Sequence, residues 1–264
     1  MRLQSSRESV RARLSALGSV VVGLFMSSAF ASWCVLLGGL AGITGCSAAA
    51  PHESGSGGGD DSALLATTSD ASISAEVESV LTSLTATHYQ HDSDIDAARG
   101  LYDTDCSGFV SFVLQTARSD AYDELQAATN TDRALAGSYV TFIQGLSAGA
   151  QPQWTRIHHA KYLQAGDIIA WLIPAGVPSD DTGHVMLVEH DATVSGNEAT
   201  VSIVDSTDTG HGDADPRSPS DPSGVGRGTI VLTLDADGEP TGYRWSTDAD
   251  SPAYPTTVMM ARVD

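Results

Sequence analysis

The sequence predicts an α+β chain in which a helix precedes a run of strands. Two patterns carry that reading. Behind the polar turn Asp103-Thr104-Asp105, apolar residues recur at helical spacing at Phe109, Val110, Phe112, Val113 and Leu114. Further on come short apolar and β-branched runs set apart by Gly, Pro and Asp turns, at Gly183 to Glu189, Thr200 to Asp205, Thr229 to Leu234, Gly242 to Trp245 and Val258 to Val263. The turn Asp235-Ala236-Asp237-Gly238 between two of these runs is a hairpin signal. A hydrophobic content of 41% over 264 residues is enough for one core, while 26 Gly and 10 Pro place much of the chain in turns.

The N-terminus reads as an address. Residues 1–13 carry four Arg, and a long apolar stretch rich in Val, Leu, Ala and Gly follows and ends at Ile43-Thr44-Gly45-Cys46. That ending resembles the bacterial lipobox, which implies diacylglycerol on Cys46 and a signal peptide over residues 1–46. An uncleaved membrane helix, or cleavage after Ser28-Ala29-Phe30-Ala31, are the competing readings; each still exports the rest. Ser47, where an Asp would resemble an inner-membrane retention signal, points to the outer membrane. Residues 47–75, with Gly55-Ser56-Gly57-Gly58-Gly59, read as a flexible tether, leaving residues 76–264 as one catalytic domain.

Charge excludes one class of partner. The net charge is −20, and removal of residues 1–46, with four Arg and one Glu, leaves −23. The nine remaining Lys and Arg are scattered singly, so nucleic acid, which binds clustered cations, is not an expected partner. The acidity suits a soluble exported domain, expected to be monomeric.

Cysteine usage narrows the chemistry. Of three Cys, Cys34 lies in the export segment and Cys46 at its end, which leaves Cys106 as a lone thiol with no disulfide partner. Cys106 falls at the predicted helix start, where unpaired N–H groups and the macrodipole favour a thiolate. Its neighbours Asp105, Ser107 and Gly108 are the candidate substrate and oxyanion contacts, Gly108 because a residue without a side chain lets a substrate backbone approach. His184 opens a predicted strand 78 positions later, and Asp205 closes the next one. A thiol, an imidazole and a carboxylate in that order suit nucleophilic catalysis: the His takes the thiol proton and the carboxylate orients the ring.

Three segments together resemble the NlpC/P60 peptidases and their CHAP relatives. Asp105-Cys106-Ser107-Gly108-Phe109-Val110 looks like the nucleophile motif, Ala165-Gly166-Asp167-Ile168-Ile169-Ala170-Trp171 like the Pro-Gly-Asp-Leu strand, and Gly183-His184-Val185 like the base motif. The resemblance spans about residues 76 to 210 and implies a papain-like fold, N-terminal helices packed on an antiparallel β-sheet. It also implies hydrolysis of amide bonds in peptidoglycan stem peptides, with no cofactor and no metal. Two departures stand out: the stretch from His88 to Asp103 lacks the family's Tyr-Gly-Gly element, and Asp205 lies 21 positions after the His, nearer the CHAP pattern. His211 is the alternative third member.

Other residues are set aside. His88 and His91 have metal-like spacing on a possible helix but no further ligands beside them. His158 and His159 read as solvated, and His190, which closes the strand begun by His184 on the same face, as exposed. Glu189 falls on the face opposite His184. The Pro, Gly and Asp-rich loop from Gly210 to Gly228 is either a binding element or an adaptable insertion. Two other functions fit the same residues, an acyltransferase on this scaffold and a wall-binding lipoprotein without catalysis.

Overall fold

The computed structural model describes residues 61–146, 152–217 and 222–264, with side chains from residue 72 onward. All belong to one unit, Gly57–Asp264. The predicted export segment, Cys34 and the lipidation site Cys46 lie outside the described residues.

Among the described residues four α-helices precede the large sheet, with three short strands between the first and the second. The expected tether does not reach residue 75, because α1 (Asp61–Ser83) begins within it. Its Ser, Thr and Ala content gives little apolar pattern, yet Ile73, Val77 and Val80, spaced as one helix face, are buried against the core. Three short strands follow, β1 (Ala86–His88), β2 (Asp94–Asp96) and β3 (Leu101–Asp103), forming a small sheet with β3 in the middle. His88 thus ends a strand and His91 lies beyond it, not one turn apart on a helix.

The predicted central helix is α2 (Cys106–Ala117), followed by α3 (Ser119–Thr129) and α4 (Ala136–Gly145). Asp105 starts α2 as its N-cap, with Oδ1 accepting the Gly108 N–H at 2.7 Å. Phe109, Val110, Val113 and Leu114 are fully buried, each stabilising the fold by roughly 1.5–3 kcal/mol. α3 ends at Asn130, whose φ of 50° is the left-handed turn that Asn tolerates.

The remaining strands form one nine-stranded sheet. Its members are β4 (Trp154–Ile157), β5 (Ile168–Leu172), β6 (Gly183–Val188), β7 (Thr193–Ser195), β8 (Glu198–Thr207), β9 (Gly224–Leu234), β10 (Pro240–Arg244), β11 (Ala253–Pro255) and β12 (Val258–Val263). Main-path order is β11-β10-β9-β8-β6-β5-β12-β4, with β7 added on β8, and all its pairings are antiparallel. The fold is therefore α+β, with helices ahead of a large antiparallel sheet. The last strand, β12, sits between β4 and β5, a return no local pattern announces.

Alternation divides the sheet into two buried faces. Ile168, Ala170, Val185, Leu187 and Val204 pack with α2 and α4, whereas Ile169, Trp171, Met186 and Ile203 join Tyr243 in a second cluster. His184 shares the parity of Met186. In the antiparallel pair β6 and β8, Leu187 faces Val204 and Val188 faces Ile203. Continued, that register sets Asp205 opposite Met186, diagonal to His184 on the same face and within reach of it.

Candidate active site

The nucleophile end is built by α2. Cys106 is its first residue and 5% exposed. The turn before it is pinned from the sheet: Ser206, next to Asp205, donates through Oγ to the Thr104 carbonyl at 2.5 Å. Thr104 Oγ1 also pairs with Ser93 Oγ at 2.7 Å. The strand that carries the carboxylate thus fixes the turn that carries the thiol.

The Asp105 carboxylate and Gly108 are engaged within the turn itself. The Asp105 carboxylate is buried, with Oδ1 accepting from both Ser107 Oγ at 3.0 Å and the Gly108 N–H. Its Oδ2 is paired with the Arg133 guanidinium and lies 3.5 Å from His91 Nδ1. These groups brace the helix start. Gly108 does not open the site, for a Cβ there would stand 2.1 Å from Thr104 Oγ1 and 2.4 Å from Ser93 Oγ. Its missing side chain makes room for the protein's own turn. The Phe109 N–H goes to the Asp105 carbonyl at 3.0 Å, so the first-turn N–H groups left for an oxyanion are those of Cys106 and Ser107.

Cys106, His184 and Asp205 converge. His184 Nε2 lies 2.7 Å from Asp205 Oδ2, and the Cys106 thiol is close enough to the imidazole to favour its charged form. Burial favours the neutral ring, but the Cys106 and Asp205 charges and hydrogen bonds outweigh it, and the His184 pKa is raised to about 10. Asp205 is fully buried; burial would raise its pKa, yet His211 and His184 hold it well below the ordinary carboxylate range.

His211 supports the carboxylate instead of replacing it. Its Nε2 lies 2.9 Å from Asp205 Oδ2 and its Nδ1 2.8 Å from the Trp245 carbonyl. The ring thus bridges the buried carboxylate and the Trp245 carbonyl. Arg217 adds a third donor, Nη1 to Asp205 Oδ1 at 3.2 Å, and is itself tied to Asp215. The loop from Gly210 onward therefore supplies His211 and Arg217 to the buried carboxylate, with Asp215 accepting from both the His211 N–H and the Arg217 guanidinium; residues 218–221 lie outside the described residues. A Cβ on Gly228 would stand 2.3 Å from the His211 ring, so that glycine seats the histidine.

Several contributors were not legible beforehand. Trp245 stacks on His211 at 4.3 Å and meets His184 edge-on at 5.0 Å, while its Nε1 donates to the Thr209 and Gly210 carbonyls. Tyr89 borders the cavities on both sides of the Cys106–His184 pair. Burial, then the charges of Cys106, Asp181, Asp105 and Asp208, pushes its phenol above the usual range. The missing Tyr-Gly-Gly pattern gave no pointer to this tyrosine. Glu189 pairs with Arg227, away from His184, and His190 is exposed past the end of β6. Among the described residues no group of three His, Cys, Asp or Glu is placed to hold a metal ion, and no helix is long and apolar enough to cross a membrane.

The fold and site define an α+β protein with a buried Cys–His–Asp constellation at a helix start. No family model matches the chain, and no solved structure matches it. It is 33% identical over 172 residues to "Uncharacterized protein R653" of Acanthamoeba polyphaga mimivirus, a match covering 59% of this chain and 74% of that protein. The chain belongs to the same family as that viral protein.

Proposed function

We propose that this chain is a cysteine hydrolase of the papain-like NlpC/P60 and CHAP type, acting on amide bonds. The observation that carries the proposal is the buried His184–Asp205 hydrogen bond, with the Cys106 thiol beside the same imidazole. A structural thiol has no use for a buried, protonated histidine fixed by a fully buried carboxylate.

In this reading the imidazolium of His184 holds Cys106 as a thiolate. The sulfur adds to the amide carbonyl carbon, and the oxyanion is met by the N–H groups of Cys106 and Ser107. As the C–N bond breaks, His184 passes its proton to the departing amine. The neutral ring then takes a proton from water, whose oxygen attacks the thioester, and the acid product leaves with the thiolate restored. Asp205 keeps the ring's far nitrogen bonded throughout.

The substrate proposed is the peptidoglycan stem peptide, supported by the nucleophile, Pro-Gly-Asp-Leu-like and Gly-His-Val segments. Export and a lipid anchor on Cys46 are supported by residues 1–46. The test is mass spectrometry of fragments released from purified sacculi by wild type and Cys106→Ala. New carboxyl-ended fragments absent with the variant support the proposal. Fragments bearing a new amide identify an acyltransferase, and no release by either protein moves the assignment to wall binding.

A further inference from the structure

Asp205 is met by a permanent cation as well as by two imidazoles. Arg217 Nη1 donates to Asp205 Oδ1 at 3.2 Å and to the Gly224 carbonyl at 3.0 Å, and its side chain is 7% exposed. Asp215 accepts from the other nitrogens of the same guanidinium, 3.0 Å from Nε and 2.7 Å from Nη2, and also takes the His211 N–H at 2.6 Å. The sheet leaves room for this contact. Gly226 is the residue of β9 directly opposite Asp205, and a Cβ there would stand 2.7 Å from Arg217 Cδ. The arginine stem lies where that side chain would be.

Within the proposed hydrolysis, on which this inference rests, His184 must both hold a proton and surrender it. Beside the Cys106 and Asp205 charges its imidazolium persists to about pH 10. A proton held that firmly is slow to reach a departing amine, and near neutral pH little neutral ring is left to activate water. Acylation removes one of the two opposing charges, because the thiolate becomes a thioester. The Asp205 charge remains, fully buried, with its Oδ2 2.7 Å from the ring nitrogen. Once His184 is neutral that carboxylate has lost a counter-ion, and an unpaired buried charge is costly. His211 can itself titrate, whereas a guanidinium stays charged at any working pH. The remaining groups around His184 supply no permanent positive charge: Cys106 lies on α2, and the titratable side chains lining the cavity beside the ring are tyrosines and aspartates, among them Tyr89, Asp181 and Asp208. On the Cys106 side, Arg133 is paired with Asp105, and His91 lies between Asp105 and Asp181.

We infer that Arg217 is a positioning residue for turnover: acting through Asp205, its fixed charge keeps His184 able to release the proton that the ring takes up in each cycle. Asp215 clamps the guanidinium and Gly226 gives its stem room. Without that charge Asp205 holds the imidazolium proton more strongly, so the neutral ring needed for attack by water appears only at higher pH. A guanidinium that merely fastened the loop would leave that pH unchanged.

The test uses p-nitrophenyl acetate, whose leaving group needs no proton. Its acetyl group passes to the Cys106 sulfur as p-nitrophenolate departs, which leaves a thioester beside protonated His184. The ring must then lose its proton to solvent before it can take one from water. Hydroxide adds to the thioester carbon, the C–S bond breaks toward sulfur, and acetic acid leaves with thiolate and imidazolium restored. Decay of the acetyl-enzyme, followed by the mass of the intact protein from about pH 5 to about pH 10, therefore rises with pH to a plateau whose midpoint reports His184. In Arg217→Gln that midpoint should rise by about one pH unit, and Arg217→Lys, which keeps the charge, should restore it to within about 0.3. Gly226→Ala, which displaces the stem and leaves every charge in place, should move it the same way by about half a unit, and it decides the question if Arg217→Gln does not fold. An unchanged or lowered midpoint in Arg217→Gln or Gly226→Ala, or a lysine variant that matches the glutamine one, overturns the inference alone. No acetylation of Cys106, or wild-type decay no faster than that of His184→Gln, removes the hydrolase reading and the inference with it.

Discussion

His184 and His211 reach the same oxygen. Their Nε2 atoms lie 2.7 Å and 2.9 Å from Asp205 Oδ2, so one carboxylate oxygen orients the ring that faces the thiol and is held by a second ring that faces away. With Arg217 on Oδ1, the carboxylate has no rotational freedom left. His211→Ala leaves part of a buried carboxylate without a donor, and the expected cost is about 2–4 kcal/mol in urea unfolding. His211→Gln, which keeps one N–H donor, should recover part of that stability and part of the Cys106 alkylation rate. A variant pair with equal stability to wild type would show that the second ring does not support Asp205.

The two shifted groups give stability opposite limbs in pH. Asp205 titrates well below 3.8 in the folded protein, so its contribution is present above that value and is lost as pH falls toward its folded pKa. His184 is raised from 6.5 to about 10, so its contribution is complete below 6.5 and is lost as pH rises through about 10. Tm measured across pH should therefore decline at both ends. Asp205→Asn should flatten the acid limb and His184→Gln the alkaline one; limbs unchanged by these substitutions would contradict the assignment.

Asp105 separates bracing from catalysis. Asn is as good an N-cap as Asp, so Asp105→Asn keeps the helix start while removing the Arg133 ion pair, whose partner is 42% exposed on its side chain. The expected loss is about 1 kcal/mol or less, with Cys106 alkylation within about threefold of wild type. Asp105→Ala removes the cap as well and should cost about 2 kcal/mol more. Chemical denaturation of both, beside their alkylation rates, distinguishes a cap from a substrate contact.

Gly108→Ala tests the turn behind the nucleophile. The added methyl must displace Thr104 or Ser93, at 2.1 Å and 2.4 Å, and Thr104 is already held by Ser206. A loss of about 1–3 kcal/mol in thermal or denaturant unfolding is expected. No change would mean that the turn moves freely and does not fix Cys106.

What the sequence revealed was local. The polar turn before Cys106, the apolar period of α2 and the His184 and Asp205 strands are each written in under ten consecutive residues, whereas the imidazole and the carboxylate share a face only through the register of β6 on β8. The rest depends on contacts far apart in the chain. Ser206 reaches Thr104, Trp245 roofs His211 and β12 returns between β4 and β5, none of which leaves a mark in either segment alone. α1 was hidden for a different reason: its Ser, Thr and Ala residues look like a linker until Ile73, Val77 and Val80 find a core to face. Ser107 keeps the oxyanion role through its N–H, whereas the Asp105 carboxylate and the bare Cα of Gly108 serve the turn, since a motif fixes neighbours without saying which way their polar atoms turn.

That His184 activates Cys106 is the claim on which the functional account stands. The most direct measurement is the rate of iodoacetamide alkylation of Cys106 at pH 6, in wild type beside His184→Gln, with free cysteine as the reference. A histidine protonated up to about pH 10 beside the sulfur predicts wild-type alkylation about tenfold or more faster than free cysteine, and a fall of similar size in the variant. Alkylation no faster than free cysteine, and equal in the two proteins, would contradict it.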